Sequence, residues 1–552
     1  MRMMCIVWGF AATAALLSVT CAWAENPDTA ASSANATAPN PELPAAPAAS
    51  AGADANSMPA HIERIAFRGN RALSMRALQA VAAPYVGHDL RADDIEELRS
   101  ALTHRYTDHG YVNSEVVLDP DAPFHDGVLS FLAIEGRIRE IRVHGLNGLR
   151  SSYVVDRLRG PDDEILNTEV LRARLQRLSD DPLFARVSSS VEPVADSADA
   201  LLDVDVQRAR PYSLTVALNN YRPPGIGEQG YDASGQVRDL TGLGDVVDAD
   251  LSGPLESSGG LGFGLSWQIP AGHWGTLATV SAARTNTVFT AEPLSSLDVR
   301  STIDRQELKL TQTLWSGLRQ QISLSASIAR EQELTVGDEQ FASLPGSGAD
   351  STRSVTARAM PEYIYRSEQH YLTVRLTVLH AHLLGQEGSP SASLPDRNYF
   401  LWTAQLQHLW EFAPLPFELE SRATAQRTDA RISDLHALEI GGINAVRGFR
   451  ENEFLASSGE IINIDLRWLA LPAGTSARPG FNLGTYFDWA AGHDIGEPID
   501  TFSSCGPTVR LKWPHVQADL AYGLRLIHPT FVSAEHGSWQ DHGIHVQIAT
   551  TL

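Results

Sequence analysis

From Pro211 to the C-terminus, apolar residues recur at every second position. In 371–378, Leu372, Val374, Leu376 and Val378 share one face, while Tyr371, Thr373, Arg375 and Thr377 share the other. Leu308, Leu310 and Leu314 oppose Glu307, Lys309, Thr311 and Thr313. Ile462, Ile464, Leu466 and Trp468 oppose Asn463, Asp465 and Arg467; Val516, Ala518, Leu520, Tyr522, Leu524 and Leu526 oppose Gln517, Asp519, Gly523 and Arg525. A period of two predicts strands with one apolar and one charged face. Runs of about 10 residues suffice to cross hydrocarbon as tilted strands, whereas a soluble sandwich uses about 5 or 6. Charged inner positions such as Arg375, Arg467 and Arg525 suit a water-filled interior better than a packed core. The pattern therefore predicts a membrane β-barrel over 210–552, with about 16 antiparallel strands at roughly 21 residues per strand and loop, although about 12 or 14 would also fit.

Upstream the period changes. Ile62, Ile65 and Phe67 suggest a strand, a short helix opens after Ser74, and Asp93 with Glu96 reads as a capping box. Ile95, Leu98 and Leu102 then fall on one helical face, and 116–118 and 128–134 read as closing strands. The same order follows again. Ile141 and Val143 begin a strand, Tyr153, Val154 and Leu158 a helix, and Leu171, Leu175 and Leu178 a second helix flanked by Arg172, Arg174 and Arg177; 187–191 and 201–206 supply the last strands. Two successive α+β modules of equal order, 59–136 and 137–209, form a tandem repeat. The arginines beside the second helix could bind something acidic, but a solvated face is the plainer reading.

The N-terminus reads as a secretory signal over 1–24. Arg2 precedes an apolar stretch from Cys5 to Val19, and Ala22 and Ala24 form an A-x-A cleavage site before Glu25. A membrane anchor would need about 20 apolar residues. Residues 25–58 are rich in Ala, Pro, Ser and Asn, cannot bury enough surface to fold alone, and read as a linker.

Composition narrows the function classes. The net charge of −23 argues against a nucleic-acid partner, which needs clustered Lys and Arg. Removal of the signal takes Cys5 and Cys21 and leaves Cys505, so no internal disulfide is expected. The two lysines, Lys309 and Lys512, follow leucines, which rules out a Gly-Lys-Ser/Thr phosphate loop. His380 and His382 could share a metal, but nothing nearby completes a ligand set and solvated loop histidines are the simpler reading. Gly242 and Gly244 lack the third glycine and the helix of a dinucleotide site. No G-x-S-x-G elbow is present. The sequence therefore offers no catalytic residue, metal site or cofactor.

Three short motifs make the reading more specific. Ala445-Val446-Arg447-Gly448-Phe449-Arg450 follows Gly441-Gly442; Tyr486-Phe487-Asp488-Trp489-Ala490 lies on an alternating strand; and Asp239-Leu240-Thr241-Gly242-Leu243-Gly244-Asp245 follows Asn219-Asn220-Tyr221. With the tandem modules, these motifs resemble the two-partner secretion transporters (TpsB, haemolysin-activator type) of the barrel-assembly superfamily, over about residues 60–552. The resemblance implies that the modules are POTRA domains. It also implies that a long loop folds back into the lumen with Val446, Arg447, Gly448 and Phe449 at its tip, and that an F-x-D-x-G strand motif places its Asp at Asp488, beside Phe487. The alternation agrees: if Phe481, Leu483, Thr485 and Phe487 face lipid, then Asn482, Gly484, Tyr486 and Asp488 face the lumen. One more solvated lumen carboxylate is the bland reading of Asp488. Arginine suits the tip because its planar fork holds a carboxylate through two parallel hydrogen bonds.

Three features depart from the family pattern: Ala490 replaces the motif's Gly, Leu552 replaces a terminal aromatic, and 25–58 shows no amphipathic plug helix. The implied partners are outer-membrane lipid and a secreted, TpsA-like exoprotein with an N-terminal secretion domain. The implied form is a monomeric pore. A rival from another class is an assembly factor that inserts β-barrel proteins into the outer membrane; two modules instead of a longer array favour secretion.

Overall fold

The computed structural model describes residues 60–552, apart from 122, 161–163, 196, 256–259, 273–274, 292–293, 339–349, 388–394, 472–479 and 531–536. The expected cleavage site at Ala22 and Ala24 and the linker 25–58 lie outside the described residues. The described chain forms two compact units, one ending at Arg210 and one beginning at Pro211.

In the first unit, the repeat seen in sequence is a repeat of topology. Arg64–Arg68 lies parallel to Val128–Ile134, whose other side pairs antiparallel with Glu115–Leu118. In the second module, Ile138–His144 lies parallel to Ala200–Arg208, and Phe184–Pro193 pairs antiparallel on the far side. Each sheet buries its apolar face under two helices: Met75–Ala82 and Ala92–Thr107, then Ser151–Leu158 and Thr168–Ser179. Leu78, Leu98, Leu102 and Phe131 form the first core, and Leu158, Leu171, Leu175 and Leu202 the second. Ser74 caps the first helix by accepting from Ala77 N.

Two local expectations need correction. The reciprocal cap of Ala92–Thr107 is Asp94, whose Oδ2 accepts from Arg91 N at 2.8 Å. Glu96 lies inside the helix and pairs with Arg99 at 2.6 Å, because the helix begins one residue before Asp93. Arg174 is not part of a solvated face: its two terminal nitrogens hold Glu164 at 2.6 and 2.9 Å. Burial pushes the Tyr106 phenol well above its usual pKa, with the Glu135 carboxylate adding to the shift. It remains a donor to Glu135 at 2.9 Å, while Glu135 accepts from Arg71 N and Ala72 N.

The second unit is a closed antiparallel barrel of sixteen strands, from Tyr212–Asn219 to Ile544–Thr551. Val516–Tyr522 and Leu524–Ile527 are halves of one strand interrupted at Gly523. First and last strands close the cylinder from Thr215↔Thr551 to Asn219↔Gln547. The alternation sorts side chains as expected: Leu483 and Phe487 are 40% and 43% exposed, while Tyr486 and Asp488 are 3% and 0% exposed. Phe487 therefore points outward.

The inner charges are paired across strands instead of standing in water. Arg375 binds Glu362, and Arg467 binds Glu418 and Glu420. His380 and His382 lie on the strand His370–Glu387, not on a loop. His380 packs on Phe400, and His382 shares a 2.6 Å hydrogen bond with Asn398. No helix among the described residues is long and apolar enough to cross a membrane; this chain crosses with strands.

Candidate functional site: the inward loop and its wall

The longest described connection, 428–457, joins Phe417–Arg427 to Ser458–Leu471 at the barrel end opposite the one where the chain enters at Pro211. It folds inward as a hairpin, with Leu438–Ile440 paired to Phe454–Ala456. Ile440, Val446, Phe449 and Ala456 bury themselves against Ile461, Ala490 and Phe502 of the wall. Ala490 is fully buried there, so the residue replacing the expected glycine fills space in this cluster. Gly441 and Gly442 turn the tip with φ of +108° and +91°; a Cβ on Gly441 would meet Arg450 O at 2.4 Å, so a glycine is needed for this turn.

Arg447 lies between two carboxylates. Its Nε and Nη2 donate to Asp488 Oδ2 and Oδ1 at 2.8 and 2.7 Å, and its Nη1 and Nη2 donate to Asp465 Oδ1 and Oδ2 at 2.6 and 3.0 Å. Asp465 and Asp488 stand on neighbouring strands, Ser458–Leu471 and Gly480–His493, where Asn463 opposes Asp488 in the register. Asp488 also accepts from Arg447 N at 3.0 Å and from Asn463 Nδ2 at 2.8 Å. The guanidinium stacks 3.6 Å from the centre of the Tyr486 ring. The side chains of Arg447, Asp465 and Asp488 are 6%, 8% and 0% exposed, so water screens the pairs little.

Asp488 accepts four of these bonds and Asp465 two, so the two carboxylates should not contribute equally. Asp488→Asn should weaken loop docking by about 3 kcal/mol, a broken buried pair, and Asp465→Asn by about 1.5 kcal/mol. Protease cleavage of the loop in isolated outer membranes measures that order.

Gly448 follows with φ +89° and lies against Gly523, the residue that interrupts its strand. Its N donates to His545 Nε2 at 3.0 Å, and its O accepts from Arg525 Nε at 2.6 Å. Arg525, expected as a solvated lumen charge, thus holds the loop backbone, and also donates to Gln540 O and Asp541 O. Phe449 is 1% exposed and meets Phe502 edge-on at 5.3 Å.

A second contact fixes the base of the loop to a different stretch of wall. His436 Nε2 lies 3.1 Å from Glu331 Oε2, and its Nδ1 lies 2.6 Å from the Tyr399 hydroxyl. With Nε2 carrying the proton toward the carboxylate, Nδ1 accepts from the phenol. Arg358 completes the cluster on Glu331 Oε1 at 2.9 Å. No sequence motif marked His436; burying Tyr399 and Glu331 on the inner face is the signal that could have found it. His436→Ala should loosen the base by about 1–3 kcal/mol while leaving the tip docked. Hydrogen exchange confined to 430–440 would show this.

The other motif lies elsewhere. Gly242 and Gly244, with φ of +77° and +76°, shape the turn between Gly230–Arg238 and Val246–Pro254. Asp245 fastens it by accepting from Thr241 N, Thr241 Oγ1 and Trp267 Nε1 at 2.9, 2.7 and 2.9 Å. The structure does not bring this turn to Arg447. Phe487, set beside Asp488 in the motif, faces away from the loop and is no partner of it; Asp465, Asn463, Tyr486 and Gly523 form the wall with Asp488.

A closed, outwardly apolar cylinder with an inward-folded hairpin and two small α+β modules defines an outer-membrane β-barrel protein. The chain matches the family described as haemolysin secretion/activation protein ShlB/FhaC/HecB over residues 199–493, and the ShlB-type POTRA domain over 60–136. It belongs to that family of two-partner secretion transporters. It is 23% identical over 522 residues to the outer membrane transporter CdiB of Escherichia coli O6:K15:H31 (strain 536 / UPEC), covering 86% of this chain and 80% of that protein. It is 22% identical over 191 residues to the hemolysin transporter protein HpmB of Proteus mirabilis, covering 35% of this chain and 33% of that protein. Among solved structures, CdiB from Escherichia coli superposes with a TM-score of 0.72 at 17% identity, over 94% of this chain and 95% of that one. CdiB from Acinetobacter baumannii gives 0.63 at 13% identity, over 90% of each. The protein is therefore an outer-membrane transporter of partner proteins with periplasmic POTRA domains.

Proposed function

We propose that the chain is a monomeric pore that captures one exoprotein through an N-terminal secretion domain and passes it outward, with loop 428–457 docked on the wall in the working state. The observation that carries this reading is Arg447, shared by Asp465 and Asp488 on adjacent inner strands. The docked tip also spans to Gly523, Arg525 and His545 near the closing strand, so it braces the part of the cylinder where first and last strands meet. Capture is assigned to the modules, whose sheets end in the edge strands Arg64–Arg68, Glu115–Leu118, Ile138–His144 and Phe184–Pro193. An extended chain can add to such an edge through its backbone hydrogen bonds. The absence of a nucleotide site in the sequence makes folding of the cargo outside the cell the driving force in this reading.

Deletion of the gene tests this. The account expects loss of one large exoprotein from the culture supernatant with an unchanged outer-membrane proteome. Loss of many barrels from the outer membrane would contradict it.

A further inference from the structure

Over two steps of the register, the outward face of the barrel changes from apolar to polar, with three arginines and one aspartate. Val280, Leu308, Ile328 and Ala357 face each other across four neighbouring strands, Thr276–Val288, Arg300–Ser316, Gln320–Val336 and Asp350–Arg366. The first three are 56%, 46% and 52% exposed, as side chains in contact with lipid are. Two residues farther from the chain's entry end, the row becomes Ala282, Gln306, Arg330 and Val355. The next row is Arg284, Asp304, Gln332 and Arg353.

Arg284 is held by Asp304 at 2.6 Å, but Arg330 and Arg353 are exposed and have no carboxylate partner among the described residues. Arg330 opposes Val355, so the two guanidinium stems rise from adjacent strands about 5 Å apart and about 7 Å along them. Both flexible side chains can reach one phosphate from there, and the guanidinium fork fits it. The chain carries a net charge of −23, so a cationic band on its membrane-facing side does not follow from composition.

We propose that Arg330 and Arg353, with Arg284 beside them, bind the phosphate of a glycolipid headgroup in the outer leaflet. The depth selects the occupant: one register step, about 7 Å, separates the lipid-covered row from Arg330, which is where headgroups sit and a soluble anionic partner does not.

The test uses the full-length protein, stripped of lipid in detergent, with diphosphorylated lipid A, dephosphorylated lipid A and inorganic phosphate as separate probes. Native mass spectrometry reads the bound fraction, and heat-modifiable migration confirms a folded barrel. Wild type should retain diphosphorylated lipid A and neither of the other two. R330Q/R353Q should weaken that binding tenfold or more, and R330K/R353K should restore most of it. Equal retention of the two lipid forms, binding of inorganic phosphate as strong as that of the lipid, or unchanged binding by a folded R330Q/R353Q barrel would each overturn the assignment.

Discussion

Arg447→Ala should release the tip of loop 428–457 from the wall. Removing the guanidinium leaves Asp465 and Asp488, diagonal neighbours on adjacent strands and 8% and 0% exposed, with no cation between them. Breaking a buried pair from one side costs about 3–5 kcal/mol, because the partner's charge stays buried. At 1.4 kcal/mol per tenfold, the docked-to-undocked ratio should fall by roughly 100-fold or more. Limited proteolysis of outer membranes should then cleave 441–453 in the variant and not in wild type. Secretion of the partner should fall with it, since the brace near the closing strands is lost. An uncleaved loop in Arg447→Ala would show that the apolar contacts of Val446 and Phe449 hold the tip without the arginine.

Gly448→Ala should have the next largest effect, and for a separate reason. The residue has φ +89°, and an added Cβ would stand 2.9 Å from Gly523 O and 3.0 Å from its C and Cα. The conformation alone costs about 1–3 kcal/mol for a residue with a side chain. These neighbours are backbone atoms, so the clash is relieved only by moving the loop or the strand. Such a movement would stretch the bonds from Gly448 N to His545 and from Arg525 to Gly448 O. Gly523→Ala meets Gly448 Cα at 2.4 Å and should reproduce the phenotype from the wall side. A Gly523→Ala variant with normal loop protection would contradict this packing.

Much of the fold was legible because period two is a direct consequence of a sheet wet on one face and covered by lipid on the other. Leu483 and Phe487 against Tyr486 and Asp488 show this residue by residue. The module repeat was legible for a similar reason, through leucines at helical spacing such as Leu171, Leu175 and Leu178. What the period does not encode is which inner side chains meet. Asp465 was visible as an inner residue, but its approach to Arg447 depends on a loop entering from between two strands and on the stagger that sets Asn463 opposite Asp488. Gly523 broke an alternating strand, and a glycine there marks a close backbone approach; its neighbour, Gly448, is 75 residues earlier in the chain and comes near only when the loop folds in. Charges such as Arg467 and Arg525 read as solvated because sequence shows polarity without partners, whereas the fold brings Glu420 to Arg467 from the next strand and the Gly448 carbonyl to Arg525 from the loop. The capping pair was displaced by two positions, from Asp93 and Glu96 to Arg91 and Asp94, as helix ends often are.

Arg447→Lys tests the central claim most directly, because it keeps the charge and removes the fork. A lysine supplies one ammonium where the structure uses three guanidinium nitrogens on two carboxylates. Secretion of the partner exoprotein should drop well below wild type while the barrel still assembles and migrates as a folded species. Secretion equal to wild type in Arg447→Lys would show that charge alone suffices and that the two-carboxylate grip is not what holds the transporter in its working state.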